Sequence, residues 1–148
     1  MWSKTDSLCD SMTLNDLFQR LMTFRGWPDN WDHQNSPAPH DFAISHAYKL
    51  AEKAVTRFHF NPSDCVPSST GGVALVWVHP NNDRYGDLEC LNDGTVRACV
   101  SSKEHEILDE WQLSTYGIPM IGEKRRSPDG SLARILKFLQ SGELVECD

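Results

Sequence analysis

The chain has 148 residues, of which 39% are hydrophobic and 24% charged, and its formal net charge is −7. This length and composition predict one soluble globular domain over residues 1–148, large enough for a hydrophobic core that needs no disulfides or metal to stabilise it. No stretch approaches the roughly 20 apolar residues of a membrane span, and the first ten residues lack the apolar run of a secretory signal. We therefore expect no membrane association and a cytoplasmic location, with residues 1–12 poorly ordered.

The negative charge is concentrated in the middle of the chain. Residues 61–123 contain ten acidic side chains and three basic ones, whereas both flanking segments are close to neutral. A surface with this field repels nucleic-acid phosphates and attracts basic partners. A solvated surface without any partner is the plainer interpretation. The three-residue basic run at 124–126 is too short to form a nucleic-acid groove.

Two helices are predicted in the N-terminal part. Thr13 is a capping residue with Asp16 three positions later, and the first helix ends before Gly26 and Pro28. Its apolar stripe consists of Leu14, Leu17, Phe18, Leu21 and Met22. The second helix begins at residues 39–41 and ends at residues 61–62, and its stripe consists of Ile44, Ala47, Tyr48, Ala51, Val55 and Phe58.

Strands follow from residue 73. The continuous apolar run at 73–78 predicts a strand that is buried on both faces and therefore central. Residues 87–91 and 95–100, joined by Asn92-Asp93-Gly94, predict a hairpin in which Glu89 faces Arg97 as an ion pair. Residues 116–121 are a candidate edge strand.

A third helix begins at Ser127 and Pro128 and ends at Gly142. The predicted fold class is therefore α+β. It consists of two N-terminal helices, a three- to four-stranded antiparallel meander, and a C-terminal helix packed on one sheet face.

Candidate chemistry centres on the loop between the first two helices. The histidines His33, His40 and His46 lie near Asp29, Asp32 and Asp41 in the sequence. Their spacings of seven and six residues do not match a zinc-binding helix, which favours ordinary loop and capping roles. In particular, the carboxylate of Asp32 is suited to bracing its own loop. The five cysteines show no metal-ligand spacing, so we expect no metal and no cofactor.

The tryptophans are the largest apolar anchors. Trp77 is expected in the core because it lies in the apolar strand. Trp27 and Trp31, held between prolines, fit either core packing or a binding hot spot. For Trp111, in an acidic stretch, both interpretations remain open.

The segment Trp31-Asp32-His33-Gln34-Asn35-Ser36-Pro37-Ala38-Pro39 resembles the Trp-Asp-Gly-Tyr-Gly-Ala-Pro-x-Pro signature of a family of small, uncharacterised bacterial and mobile-element proteins. The resemblance extends over about residues 14–100 and includes the Gly71-Gly72 strand start and the Asp93-Gly94 turn. His33 and Asn35 stand where that family has glycines. The resemblance implies a helix, loop, helix, strand and hairpin order and a phage or prokaryotic origin, and it implies no catalytic residue.

The leading hypothesis is a non-enzymatic, acidic inhibitor from a phage or mobile element. It would occlude a host defence protein in the manner of an anti-CRISPR, by binding a basic surface. The candidate binding residues are Asp87, Glu89, Glu104, Glu106, Asp109, Glu110, Trp111, Trp27 and Trp31. One alternative is an antitoxin or immunity protein of a toxin pair, and the other is a small metal-dependent hydrolase that uses the Asp/His-rich loop.

Overall fold

A computed structural model describes residues 12–79, 83–102, 106–113 and 127–144. Within these ranges the chain forms an antiparallel sheet whose strands follow one another in the order β1-β2-β3-β4-β5. The elements in chain order are α1 (Leu14–Thr23), α2 (Asp41–Phe58), β1 (Asp64–Ser68), β2 (Gly72–His79), β3 (Arg84–Leu91), β4 (Val96–Ser101), β5 (Ile107–Leu113) and α3 (Pro128–Ser141). The α+β class is thereby confirmed.

The helix boundaries follow from local capping. The hydroxyl of Thr13 accepts a hydrogen bond from the Asp16 amide at 3.0 Å, and that of Ser127 accepts one from the Gly130 amide at 2.8 Å. Both side chains satisfy first-turn amides that have no partner within the helix. The second helix ends earlier than predicted, because His59 adopts a left-handed conformation at φ 54°.

The helices cover one face of the sheet. The second helix lies over β2 and β3, α3 lies over β3 and β4, and α1 packs on α2 and β1. Close packing of α3 depends on Gly86, since a Cβ atom there would lie 2.5 Å from Cγ2 of Ile135. The buried arc of α2 differs from the predicted stripe, because α2 contacts α1, α3 and the sheet, and the predicted members Tyr48, Val55 and Phe58 are only half-buried. This arc includes Ala43, Leu50 and Ala54.

The hairpin register is confirmed. Glu89 pairs with Arg97, flanked by the pairs Leu88–Ala98 and Cys90–Val96. Since successive side chains of a strand point to opposite faces, this register places the apolar pairs against the helices and the charged pair on the other side.

The sheet has five strands, not the three or four that were predicted. The edge strand β1 contains Pro67, which offers no amide to a ladder and weakens the sequence signal for a strand. Its carbonyl at Cys65 accepts a 2.7 Å hydrogen bond from Arg20, which ties the edge to α1. The strand β5 begins with exposed Ile107 and Leu108. Its acidic residues interrupt the alternation of apolar and polar residues that predicts a strand, so it was missed. The candidate strand at 116–121 lies outside the described residues.

The strand at 73–78 is not buried on both faces. Val73, Leu75 and Trp77 are fully buried, whereas the alternate residues Ala74 and Val76 are half-buried. The prediction was wrong because all three described helices pack on one face. The strand is second from the edge, and β3 is the middle strand.

Two features bear on the remaining predictions. Met12 is hydrogen-bonded to the Pro62 carbonyl at 2.9 Å, while residues 1–11 lie outside the described part of the chain. None of the described helices combines the length and apolar character needed to cross a bilayer.

Candidate functional site

The sheet face opposite the helices presents a mixed apolar and acidic surface, which we call the open face. Its side chains alternate along each strand with core residues such as Leu75, Leu88 and Ala98. The open face includes Asp64, Val66, Ser68, Ala74, Val76, Val78, Tyr85, Asp87, Glu89, Arg97, Cys99, Ser101, Glu110 and Gln112.

The register brings two acidic side chains and a thiol into one line across the sheet. Asp87 is paired with Cys99, and Cys99 is paired in turn with Glu110. These residues line a shallow depression of about 490 Å³, together with Glu89 and Arg97. Sequence reasoning selected both acids, and the predicted hairpin register sets Asp87 opposite Cys99. It could not place Glu110 beside Cys99, because β5 was not predicted as a strand.

The charge of Glu89 is neutralised within the chain. The Arg97 guanidinium lies 2.7 Å from its carboxylate, and the Ser68 hydroxyl donates to the second carboxylate oxygen. A hydrogen bond of 3.0 Å to Thr70 further fixes Arg97. The predicted cross-strand ion pair is confirmed, and Arg97 is thereby committed to Glu89.

Asp87 and Glu110 differ from Glu89, because neither has a hydrogen bond or ion pair within the described residues. Asp87 is half-buried and Glu110 is exposed. Burial, with added repulsion from Glu89 and Glu110, raises the pKa of Asp87 to about 6, although Arg97 opposes the shift. A carboxylate held partly out of water without a counter-ion is a favourable position for a cation from another molecule.

The thiol between these acids is protonated at neutral pH. Burial and the negative charges of Asp87 and Glu110 raise the pKa of Cys99 to about 11. Since the thiolate is the nucleophile, this environment does not favour covalent chemistry.

Four other predicted binding residues lie off the open face or outside the described residues. Trp111 is 4% exposed and donates to the Ser131 hydroxyl at 2.8 Å, so it belongs to the layer between sheet and α3. Asp109 points to the same side and forms a 2.6 Å ion pair with Arg134. Glu106 is exposed just before β5, and Glu104 lies outside the described residues.

The loop at 26–39 is stabilised by its own side chains. The rings of Phe24 and Trp27 are 5.1 Å apart, and those of Trp27 and Trp31 are 5.4 Å apart. The Trp31 indole also donates to the Pro37 carbonyl at 3.0 Å. Both tryptophans are half-buried, so they pack within the loop and still present an edge to solvent.

The acidic residues of this loop bind its backbone. Asp32 accepts hydrogen bonds from the amides of Gln34 and Ser36 and from the Ser36 hydroxyl, which confirms its predicted bracing role. These bonds, the Ser36 hydroxyl first, lower the pKa of Asp32. Asp29 accepts from the Ala38 amide at 2.9 Å. Both carboxylates are therefore engaged within the loop.

The histidines do not converge on these carboxylates. His33 is exposed, and His46 lies on α2, where burial and then Lys49 and Lys53 lower its pKa. Within the described ranges, no three histidine, cysteine or acidic side chains are arranged to hold a metal ion.

Sequence reasoning missed the contact that attaches this loop to the sheet. The Asn92 side chain in the β3–β4 turn donates to the Ala38 carbonyl at 2.9 Å and accepts from the His40 amide at 2.8 Å. Its own amide donates to the Gly71 carbonyl at 2.9 Å. The sequence showed only that Asn92 lies in a turn. Asparagine is common in turns because its side chain can bond the local backbone, so the residue did not indicate a distant contact.

A second surface depression lies between α1 and α2. It has a volume of about 260 Å³ and includes Phe18, Met22 and Tyr48. The Phe18 ring is 41% exposed and meets Tyr48 edge-on, with the centroids 5.5 Å apart. Arg25 and Asp41, which form an ion pair, also line this depression.

Comparison with protein-family models, with curated proteins and with solved structures gave no match for this chain.

Proposed function

We propose that this chain is a non-enzymatic binding protein that recognises a basic surface of a protein partner through its open face. The observation that carries the proposal is the pair of carboxylates, Asp87 and Glu110, on either side of Cys99, neither of which has an ion pair or hydrogen bond with another described residue. Other acids of the same half of the chain, such as Glu89 and Asp109, have internal cations.

The energetics support binding at this position. An unpaired, half-buried carboxylate such as Asp87 destabilises the free protein, and a lysine or arginine of a partner would relieve that cost. The face is also preorganised, because its strands are fixed from behind by α2 and α3. A rigid surface loses little conformational entropy when a partner binds.

The same residues give little support to catalysis. The thiol of Cys99 is held neutral, and the carboxylates of Asp29 and Asp32 are engaged with backbone amides. These contacts favour a structural role for the loop over the hydrolase alternative.

A narrower form of the proposal is an inhibitor from a phage or mobile element that competes with nucleic acid for a basic groove of a host defence protein. This narrower form rests on the family resemblance, and the backbone conformation of the loop is consistent with that resemblance. His33 and Asn35, which stand where the family has glycines, have left-handed backbones with φ 62° and 64°. An antitoxin would use the same acidic face, so the identity of the recovered partner distinguishes the two.

The test is an affinity capture from the native host with three forms of the chain. The forms are the natural chain, the open-face variant Asp87→Asn with Glu110→Gln, and a control variant Glu52→Gln with Glu143→Gln. Glu52 and Glu143 are exposed and lie off the open face. Each variant replaces two acidic side chains by amides, so the two variants have the same formal net charge. We expect the open-face variant alone to lose the partner, and capture by the natural chain to weaken as salt rises. Equal recovery by both variants would contradict the proposal.

A further inference from the structure

The open face is divided into an apolar part and an acidic part. Val66, Ala74 and Val76, on β1 and β2, form the apolar part, and Asp64, which lies opposite Val76 on β1, forms an ion pair with Arg20 at its edge. The acidic part lies on β3 to β5, where Val76 is followed across the sheet by Asp87, Cys99 and Glu110. An occupant that covers both parts must therefore be apolar along one side and cationic along the other.

The dimensions of the face fit a single helix. Neighbouring strands are about 4.8 Å apart, so the three steps from Val76 to Glu110 span roughly 14 Å. An α-helix with its side chains is about 10–12 Å wide. One helix lying over β3 and β4 would contact Val76 with side chains along one of its edges and Glu110 with side chains along the other.

Backbone hydrogen bonding favours a helix over an extended segment. The backbone groups of β2, β3 and β4 are already paired on both sides within the sheet, so they cannot accept a further strand. An extended peptide laid on the apolar part would leave its own amides and carbonyls without partners. A helix satisfies these groups internally and presents only side chains.

We infer that the partner element that binds the open face is a cationic amphipathic α-helix, with its apolar stripe against Ala74 and Val76 and its lysine or arginine side chains at Asp87 and Glu110. This inference rests on the proposed function and names the partner's chemistry. Arg97 is consistent with it, because its guanidinium forms its ion pair with Glu89 and, among the described residues, forms none with Asp87 or Glu110.

The experiment measures peptide binding to the full chain. The probe is a leucine/lysine peptide of about 18 residues with leucines at helical spacing, which is long enough to form a helix. Its control is a scrambled peptide of identical composition without that spacing. We expect the helical peptide to bind at least about tenfold more tightly, a difference of about 1.4 kcal/mol.

Variants locate the binding site. Asp87→Asn with Glu110→Gln should weaken the helical peptide by about tenfold or more, whereas Glu52→Gln with Glu143→Gln should change it by less than about twofold. Val76→Thr keeps the β-branched shape and adds a hydroxyl, and it should weaken binding by about threefold. Thermal unfolding of each variant verifies that the fold is retained.

Two results would overturn the inference. One is equal affinity for the scrambled peptide, which would indicate an acidic patch without preference for a helix. The other is unchanged binding to the open-face variant. If peptide binding fails while capture of the native partner still depends on Asp87 and Glu110, the proposed function stands and only the helical partner is wrong.

Discussion

The Asn92 side chain accepts a hydrogen bond from the His40 amide, which lies 52 residues earlier in the chain, at 2.8 Å. This bond joins the β3–β4 turn to the start of α2, and the same side chain also donates to the Ala38 carbonyl. This asparagine therefore ties the loop at 26–39 to the sheet.

Replacement of Asn92 by alanine should lower the free energy of unfolding by about 1–3 kcal/mol. The physical reason is the loss of both side-chain hydrogen bonds, which leaves the Ala38 carbonyl and the His40 amide without their partner. Urea unfolding measures the change, and Asn15→Ala, at an exposed position of α1, is the control. Equal stability of the Asn92 variant and the natural chain would contradict the linking role.

Asp87→Asn should stabilise the chain at pH 7. Because the pKa of Asp87 is raised to about 6, the folded state holds a proton that the unfolded state releases near pH 4. Stability therefore falls as pH rises from about 4 to about 6 and then levels off. Asparagine carries no charge and so removes this destabilisation. We therefore expect the free energy of unfolding to rise by about 1–2 kcal/mol at pH 7, after allowance for solvent screening.

The check for Asp87 is a comparison of urea unfolding at pH 4 and pH 7 for the natural chain and the variant. The stability difference should be present at pH 7 and nearly absent at pH 4. A gain of equal size at both pH values would show that charge on Asp87 is not its cause.

Asp32→Ala should lower the melting temperature without removing partner capture. Its carboxylate holds the amides of Gln34 and Ser36, so its loss loosens the loop. Since its pKa is lowered, its stabilising effect is present above the unfolded value of about 4 and is lost as pH falls through the lower folded value. Thermal unfolding and metal analysis test this role. Stoichiometric bound metal that disappears in the variant would instead support the hydrolase alternative.

Arg134→Ala should lower the free energy of unfolding by about 2–4 kcal/mol and leave partner capture intact. Arg134 is 7% exposed, pairs with Asp109, and lies 4.4 Å from the centroid of the Trp111 ring. Its loss leaves a carboxylate unpaired beside the core. Chemical denaturation gives the stability change. Loss of capture at retained stability would place this cluster in the interface.

The parts of the fold that were predicted correctly have strong local signals. The caps at Thr13 and Ser127 and the hairpin pair Glu89–Arg97 each depend on residues within a few positions of one another. The strand β5 was missed because Asp109 occupies a core-side position, which only its ion pair with Arg134, 25 residues away, makes favourable.

The same limit applies to the site. The acids of the open face were recognised from composition, but the line Asp87, Cys99 and Glu110 depends on the register of three strands. The separation of Asp87 and Glu110 from the internally paired Glu89 and Asp109 also depends on tertiary contacts. Composition alone therefore selected the acidic segment, but it could not separate Asp87 and Glu110 from the acids that are paired within the chain.

Site-specific photocrosslinking tests the central claim most directly. A photoreactive side chain is placed at Gln112 on the open face, and in a matched variant at Lys137, which is exposed on α3 behind the sheet. Our account predicts that the native partner is crosslinked from position 112 and not from position 137. Crosslinking from position 137 alone would contradict it.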